Sequence, residues 1–408
     1  MDLPSPTGDA ASSWGPVDAQ PGVLMVTGAY FPDISGAGLQ CRSLVRALRG
    51  KVRVSVLTTT TDRRALMDDS VDAVPVFRVF VDPASIRSKA QAAYRMARIV
   101  LRERRRCAIL HLHGFSQKTM LLVALGLVTR VRLAIKLTSV GHDDPASIRA
   151  RGRLAFWFYS RAHVFFGVSP RFQVLYNESG LPPEKFRLIP NGVDLTRFRP
   201  ASQDERTALR DELNLPRDVQ VVLFVGFFSR EKCPDVLFEA WALAAAREAG
   251  RSVLVFVGAT RSSYYEIDPD LVRDIRHKAA VAGLTDRIRF VEETREIERY
   301  HQAADVFVLP SVREGLPNAL LEAMACGTAC ISSRLDGVTD TLIADGESGM
   351  LVPPRDVAAL GTALTRLLSN PDRAAAMGRV ARDLIVRDYA MADTANAYAA
   401  VYRELVQS

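Results

Sequence analysis

The chain has 408 residues, of which 48% are hydrophobic and 24% are charged. This composition is typical of a soluble globular protein, and the length exceeds what one ordinary core supports, so we expect two domains. No run approaches the roughly eighteen uninterrupted apolar residues of a transmembrane helix. The five cysteines are scattered and show neither a disulfide framework nor a zinc-ligand spacing, which predicts a reducing, cytoplasmic location.

The charge is divided unevenly along the chain. Residues 1–199 hold 29 Lys and Arg against 15 Asp and Glu, a net of +14, whereas the rest of the chain has a net of −7. A basic half suits nucleic acid, an anionic membrane or a phosphorylated substrate. The basic residues are not interleaved with stacking aromatics or base-reading motifs, so we expect no nucleic-acid partner.

The chain opens with a polar segment and then a strand, a turn and a helix. Residues 1–21 lack the basic start and apolar core of a signal peptide, and we expect a disordered tail. The apolar strand at 23–27 is followed by Gly36, Gly38 and a helical pattern to Leu48, which predicts a Rossmann-like unit. The glycine pair lacks the full dinucleotide fingerprint and its acidic partner. Gly36 therefore either allows close helix packing or borders a ligand.

A basic amphipathic helix is predicted between residues 85 and 106. One side of it carries Arg87, Lys89, Arg95, Arg98, Arg102, Arg104, Arg105 and Arg106, and the other carries Ile86, Ala90, Ala93, Tyr94, Ala97 and Leu101. Two interpretations are open: a solvated face of a helix that covers the sheet, or attachment to an anionic membrane surface. In the second, each nearby Arg or Lys contributes on the order of 1 kcal/mol.

Histidines and aspartates follow two predicted strands at their carboxyl ends. His111 and His113 share one face of the first strand, and His113 is nearer the loop. The next strand runs into a loop that contains His142, Asp143 and Asp144. Further metal ligands are not close in sequence, so we expect no metal site. The aspartates either cap the following helix or contact a substrate at this edge of the sheet.

The second half of the chain starts again with an apolar strand, at 221–225. The loop after it carries Arg230 and Lys232, which are either solvated or aimed at an anionic ligand. Further on, Asp268-Pro269-Asp270 superficially resembles an Asp-x-Asp metal motif. It precedes a helix rather than following a strand, which predicts helix capping.

A second strand-loop-helix corner follows the apolar run 306–309. The loop contains Glu314-Gly315-Leu316-Pro317-Asn318, and the helix contains Glu322 and ends before Gly327. Ligands of open α/β sheets bind outside the carboxyl ends of the strands, where helix N-termini offer free N–H groups. This corner is therefore predicted to be an anion site flanked by two carboxylates.

The spacing of these two glutamates resembles the Glu-x7-Glu signature of the retaining family 4 glycosyltransferases, the group 1 glycosyltransferases with the GT-B fold. Ile189-Pro190-Asn191-Gly192-Val193-Asp194 resembles the interdomain connection of that family, and residues 337–352 resemble its closing segments. The chain is identified as a member from about Val23 onward. The resemblance implies an α/β protein with two Rossmann-like domains that face each other across a cleft.

The same resemblance implies the domain boundaries. Residues 22–199 would form the acceptor-binding domain, and residues 200–385 the nucleotide-sugar-binding domain. Residues 386–408 would form a helix that crosses back to the first domain.

The resemblance also implies roles for side chains. Glu322 would bind the ribose hydroxyls of the donor, Glu314 a hydroxyl of the donor sugar, and Lys232 the diphosphate. Phe227 stands where the family usually has Arg, and Arg230 is expected to substitute for it. These cations and the helix N-terminus would stabilise the negative charge that develops on the leaving diphosphate, so no cofactor or metal is expected. The nucleotide-diphosphate sugar would be the co-substrate.

Backbone groups and the first domain complete the expected site. His142 and His113 are the expected catalytic partners near the reacting sugar carbon, together with Glu314. The remaining donor-binding residues are Gly36, Val291, Glu292, Gly315, Leu316, Pro317 and Asn318, and the expected acceptor-binding residues are Asp143 and Asp144.

The expected activity is retaining transfer of a sugar to a saccharide or polyprenyl-diphosphate-linked acceptor in glycan biosynthesis. A UDP-sugar is the favoured donor and GDP-mannose the alternative. The expected location is cytoplasmic, with peripheral contact at the inner face of the membrane. Two other functions suit the same architecture: a sugar-nucleotide 2-epimerase and a non-catalytic scaffold. A nicotinamide oxidoreductase is disfavoured because the dinucleotide fingerprint is incomplete.

Overall fold

The computed structural model describes residues 20–33, 35–64, 68–247, 252–258, 267–292 and 294–407. The disordered tail expected at 1–21 lies outside the described residues, apart from its last two positions. The described segments form two α/β domains, each built on a largely parallel sheet, and the GT-B fold class is confirmed.

The first domain contains, in the described residues, one eight-stranded sheet. Its strands are β1 (Gly22–Thr27), β2 (Arg53–Thr60), β3 (Asp68–Val71), β4 (Val74–Phe80), β5 (Ile109–His113), β6 (Arg132–Lys136), β7 (Val164–Gly167) and β8 (Phe186–Leu188). Their order is β3-β4-β2-β1-β5-β6-β7-β8, and β3 alone runs antiparallel to its neighbour. β1 is buried along its whole length, as a parallel strand covered on both faces requires.

Helices of the first domain cover this sheet. They are α1 (Gly36–Ala47), α2 (Ile86–Glu103), α3 (Gln117–Thr129), α4 (Pro145–Ala150), α5 (Arg153–Ser160) and α6 (Pro170–Asn177). The basic helix predicted at 85–106 is α2, but the expected apolar side is wrong: Ala92, Met96 and Val100 are buried against the domain, whereas Ile86, Tyr94 and Leu101 are exposed. Among the described residues, no helix is both long enough and apolar enough to cross a membrane.

The second domain is built on a parallel sheet of six strands in the described residues. They are β9 (Gln220–Val225), β10 (Ser252–Val257), β11 (Ile288–Val291), β12 (Val306–Leu309), β13 (Ala329–Ser333) and β14 (Met350–Val352), in the order β11-β10-β9-β12-β13-β14. The order reverses between β9 and β12, where the loops after both strands lie next to each other. In open α/β sheets such a switch point forms a ligand crevice.

Helices on both faces of the second sheet enclose its core. They are α7 (Gln203–Glu212), α8 (Pro234–Arg247), α9 (Pro269–Val281), α10 (Ile297–Ala303), α11 (Asn318–Ala325), α12 (Val357–Leu368) and α13 (Pro371–Asp388). Buried aromatic rings of Phe224, Phe228 and Phe256 pack with Trp241 on one face. Asp268 accepts a hydrogen bond from Asp270 N at the start of α9, so the predicted capping role is confirmed.

The chain crosses between the domains twice, side by side. The outgoing segment forms a parallel bridge between Val193 and Ala390 of the returning segment. A Cβ on Gly192 would lie 2.6 Å from Met391 Cα, so this crossing requires glycine. The last helix, α14 (Met391–Gln407), then packs Tyr398 into the core of the first domain, as the resemblance implied.

Candidate functional site

The loops at the carboxyl ends of the two sheets meet around the N-terminus of α11. This helix starts at Asn318, with Pro317 at the N-cap position rather than inside the first turn, and it ends before Gly327 at φ +72°. Pro317 has no N–H to leave unsatisfied, which suits a helix start. The expected helix, which contains Glu322 and ends before Gly327, is thus confirmed.

Glu314 and Lys232 form an ion pair at this corner. Lys232 Nζ donates a hydrogen bond of 2.6 Å to Glu314 Oε1, and the side chains are 27% and 9% exposed. A backbone bond of 2.9 Å from Val312 N to Glu231 O holds the two loops together. Lys232, the expected donor-binding cation, and Glu314, the expected catalytic carboxylate, therefore lie side by side at the switch point of the sheet.

Gly315 lies close to the backbone of the first domain at this corner. A Cβ on Gly315 would lie 2.1 Å from the carbonyl oxygen of Thr138, which follows β6 in the first domain. Any larger residue would push the two loops apart. The sequence predicts an anion site at Gly315, and the structure adds this interdomain requirement.

Asn318 also contacts the first domain. Its Nδ2 donates to Gly36 O at 3.2 Å, so the N-termini of α1 and α11 face each other. A Cβ on Gly36 would meet nothing within 4 Å, whereas one on Gly38 would lie 2.5 Å from Ala29 O. The glycine that allows close packing of α1 is therefore Gly38, and Gly36 borders open space beside α11.

Glu322 lies on α11 above a buried histidine of α10. Glu322 Oε2 is 3.6 Å from Nε2 of His301, whose ring is fully buried and has no hydrogen-bond partner among the described residues. The distance is too long for a hydrogen bond. Glu322 is 23% exposed, so its carboxylate is accessible to a ligand while His301 lies behind it.

His142 lies at the meeting point of the two domains, where Arg313 joins it to Glu231. The Arg313 guanidinium donates to His142 Nε2 and to both carboxylate oxygens of Glu231, with Nε at 3.1 Å from Glu231 Oε2. Arg151 donates to the carbonyl oxygen of His142. The sequence offers no signal for Arg313 because its role depends on residues far apart in the chain. The catalytic role of His142 stays a prediction.

His113 lies partly buried at the end of β5, against His111 and Met25. Its ring stacks on His111 with centroids 4.7 Å apart, and its Nε2 is 3.4 Å from Met25 Sδ. Burial, with smaller effects of His111 and Lys136, holds the pKa of His113 well below its usual value. The imidazole is therefore neutral at physiological pH, and its catalytic role stays a prediction.

Asp143 and Asp144 are buried in the loop between β6 and α4. Asp143 accepts hydrogen bonds from the backbone N–H groups of Thr138 and Ser139, and burial raises its pKa to about 6. Asp144 caps α4 by accepting from Ser147 N. The capping interpretation is confirmed for Asp144. These bonds hold both carboxylates within their own loop, and their acceptor-binding role stays a prediction.

The other expected donor-binding residues lie at the edge of the second domain. Arg230 is 63% exposed, and its Nε donates to Asp268 Oδ2 at 2.8 Å, which directs it towards α9 and away from Glu314. Val291 O accepts from Gly258 N at the end of β11, and Glu292 is exposed after it. The structure thus brings Lys232, but not Arg230, to Glu314.

Within the described ranges, no group of three or more His, Cys, Asp or Glu side chains lies close enough together to hold a metal ion.

Two family models match the chain. Residues 34–197 match glycosyltransferase family 4, and residues 205–384 match glycosyl transferases group 1. The chain belongs to glycosyltransferase family 4. The first matched stretch ends at residue 197 and the second begins at residue 205, so they lie on either side of the expected domain boundary at residue 199.

Curated relatives of this family 4 chain include two D-inositol 3-phosphate glycosyltransferases. It is 35% identical over 231 residues to D-inositol 3-phosphate glycosyltransferase 2 of Catenulispora acidiphila, across 56% of this chain and 52% of the relative. It is 34% identical over 227 residues to the D-inositol 3-phosphate glycosyltransferase of Saccharomonospora viridis, across 54% and 51%. The chain spans about half the length of the curated relatives it matches.

Solved structures share the fold of this family 4 chain over nearly its whole length. Anabaena HepE in complex with UDP and glucose superimposes with a TM-score of 0.77 at 18% identity, across 94% of this chain and all of HepE. Sucrose-phosphate synthase from Thermosynechococcus elongatus gives 0.78 at 23% identity, across 95% and 100%. At these identities the likeness concerns the fold alone.

Proposed function

We propose that the chain is a retaining glycosyltransferase that moves a sugar from a nucleotide-diphosphate sugar to a saccharide or lipid-linked acceptor. The observation that carries this proposal is the Lys232–Glu314 ion pair of 2.6 Å beside the N-terminus of α11. A cation and a helix N-terminus at the switch point of a parallel sheet suit a diphosphate. A carboxylate beside them suits the sugar attached to that diphosphate.

The proposed reaction breaks the bond between the anomeric carbon and the diphosphate oxygen. The electron pair leaves with the nucleoside diphosphate, and the acceptor hydroxyl oxygen bonds to the same face of the carbon. The hydroxyl proton passes to a diphosphate oxygen. Negative charge grows on the diphosphate during this step, so Lys232 and the free N–H groups of α11 stabilise the transition state without a metal.

Each carboxylate of the corner has a separate role in this proposal. Glu314 binds a hydroxyl of the donor sugar and faces the positive charge that develops at its anomeric carbon. Glu322, one-quarter exposed on α11, binds the ribose hydroxyls. His113, neutral because of its burial, donates or accepts a hydrogen bond at the sugar without bringing a charge of its own.

The donor is proposed to be a UDP-sugar, with GDP-mannose as the second candidate. The likeness to HepE, solved with UDP and glucose, supports this order. The relatives named D-inositol 3-phosphate glycosyltransferases support an acceptor of the polyol or saccharide class that carries a negative charge. The net charge of +14 in residues 1–199 suits such an acceptor, including one on a polyprenyl diphosphate.

We further propose that α2 contacts an anionic membrane from the cytoplasmic side during polysaccharide synthesis. Its apolar Ile86, Tyr94 and Leu101 are 83%, 63% and 44% exposed. A depression of about 470 Å³ at the start of α2 is lined by Arg63, Phe80, Ser85, Arg87, Ser88, Gln91 and Arg95. Exposed apolar side chains beside clustered arginines suit a surface of lipid headgroups.

The experiment that tests the activity is the release of nucleoside diphosphate from a panel of UDP- and GDP-sugars. We expect one donor to be hydrolysed slowly to a free sugar of unchanged anomeric configuration, with the rate lost in Lys232→Ala. A 2-epimerised sugar product would support the epimerase, and a panel left intact would support the non-catalytic scaffold.

A further inference from the structure

Lys136, at the carboxyl end of β6, is a charged side chain buried in the first domain. It is 2% exposed, and its Nζ donates to Gln40 Oε1 at 2.7 Å and to Asn191 Oδ1 at 2.8 Å. Among the described residues, no carboxylate lies within ion-pair distance of it. The Tyr398 ring centroid lies 5.6 Å from Nζ, and two amide oxygens accept from two of the three N–H groups that the charged form carries. One of these oxygens belongs to the interdomain connection.

Asn191 also contacts the second domain. Its Nδ2 donates to Asn318 Oδ1 at 3.0 Å and to Leu316 O at 3.3 Å. Asn318 Nδ2 in turn donates to Gly36 O at the start of α1. Gln40, the other acceptor of Lys136, also lies on α1. The hydrogen bonds therefore form a closed circuit that joins α1, β6, the interdomain connection and α11.

Lys136 and the backbone carbonyls of Leu316 and Gly36, which can only accept, together set the direction of the side-chain bonds in this circuit. An amine buried beside two amide oxygens acts as a donor, so Asn191 must turn its oxygen towards Lys136. Its NH2 group then points to Asn318, whose oxygen accepts the bond and whose own NH2 group points to Gly36 O. Without Lys136, Asn191 Oδ1 would lose its donor, and only the two backbone carbonyls would hold the amides of Asn191 and Asn318 in this orientation.

We propose that Lys136 is a positioning residue that, through Asn191 and Asn318, holds the N-termini of α1 and α11 at a fixed separation across the cleft. That a diphosphate binds between these two helix N-termini, and so requires this separation, rests on the proposed function. The positioning itself is a property of the free protein. It can therefore be measured without any ligand.

The test is amide hydrogen exchange in the free protein, followed by mass spectrometry of peptides covering 36–42, 316–324 and the strand β6. In Lys136→Met we expect the first two peptides to exchange about tenfold faster or more, as the loss of a hydrogen bond to a charged group implies. The β6 peptide should keep its wild-type rate. Lys185→Met, which removes an ammonium bonded to Ala162 O away from the cleft, is the matched control.

Asn191→Asp separates positioning from general stability. A carboxylate at this position still accepts from Lys136, and gains a favourable charge, but it cannot donate to Asn318. We expect its unfolding midpoint to equal or exceed that of the wild type while the 316–324 peptide exchanges faster. Wild-type exchange at 316–324 in both variants, or faster exchange spread equally through β5 and β6, would overturn the proposal.

A separate measurement distinguishes this inference from the proposed function. UDP added to the wild type should slow exchange at 316–324. Failure of UDP to protect this peptide would count against the proposed function, whereas the exchange of the free variants decides the role of Lys136 on its own.

Discussion

The carboxylate of Glu314 accepts a hydrogen bond of 2.6 Å from the ammonium of Lys232, and the two residues come from loops after different strands of the second sheet. A donor diphosphate and the Glu314 carboxylate would compete for the same cation. The pair is therefore both the central feature of the site and the easiest part of it to test.

Glu314→Gln should separate binding from turnover. The amide keeps the shape of the side chain, removes a negative charge beside the proposed diphosphate, and leaves UDP affinity unchanged or increased. Turnover of the donor should fall about 100-fold, as for the loss of one preorganised charged group at a reacting centre. Calorimetry and steady-state rates measure the two effects. Glu184→Gln, on an exposed turn before β8, is the control, and a wild-type rate in Glu314→Gln would rule out its catalytic role.

Gly315→Ala should destabilise the protein because its methyl group would lie 2.1 Å from Thr138 O in the other domain. We expect a loss of about 1–3 kcal/mol in the free energy of unfolding, the usual range for overpacking. Gly36→Ala is the matched control, since its methyl group meets nothing within 4 Å, and it should change stability by less than about 0.5 kcal/mol. Urea unfolding compares them, and equal stabilities would refute the close interdomain contact.

Membrane contact through α2 should depend on charge. The wild type should sediment with phosphatidylglycerol vesicles, whereas it should stay in the supernatant when the vesicles contain phosphatidylcholine alone. The double variant Arg87→Glu, Arg95→Glu should bind at least about tenfold more weakly, since each basic residue contributes on the order of 1 kcal/mol. Arg273→Glu, Arg379→Glu reverses two exposed charges of the second domain and should behave as the wild type. Equal retention of both double variants would contradict the proposed surface.

Lys136 should make stability depend on pH above neutrality. Burial lowers its pKa from 10.5 to about 7. Between these values the unfolded chain binds the extra proton, so the wild type should gain stability relative to Lys136→Met as pH rises from 7 to 10.5, by about 1.4 kcal/mol per pH unit at most. The neutral amine still donates two hydrogen bonds, so the circuit persists.

The neighbours of Lys136 do not titrate in that window in the folded state. Burial lowers the pKa of His111 to about 3 and also lowers that of His113, whereas it raises the pKa of Cys41 to about 12 and that of Tyr398 well above 10. Urea unfolding at several pH values measures the difference between wild type and Lys136→Met. A constant difference from pH 7 to 10 would show that Lys136 keeps its ordinary pKa.

The sequence predicted the architecture well because the relevant signals are local. Apolar runs bounded by glycine and proline locate the strands and the start of α11, and the motif around Asn191 locates the domain junction. The ion pair of Lys232 with Glu314 follows from their positions after β9 and β12, which are neighbours in the sheet.

The remaining features depend on contacts between distant parts of the chain. Gly315 has no room for a side chain because the carbonyl oxygen of Thr138, in the other domain, occupies that space. The sequence around either residue gives no indication of this contact. The sequence places Asn191 in the interdomain connection but does not reveal that its amide bonds to Lys136 of the first domain and to Asn318 of the second. Arg230 follows its strand as Lys232 does, and the nearby carboxylate of Asp268 takes it away from the site.

The measurement that tests the central claim most directly is calorimetric titration of UDP and GDP into the wild type, Lys232→Ala, Glu322→Ala and the control Lys185→Met. We expect one nucleotide to bind the wild type and the control equally, and to bind Lys232→Ala and Glu322→Ala at least about tenfold more weakly, as the loss of one charged contact implies. Binding of neither nucleotide, or wild-type affinity in both site variants, would contradict a donor site at this corner.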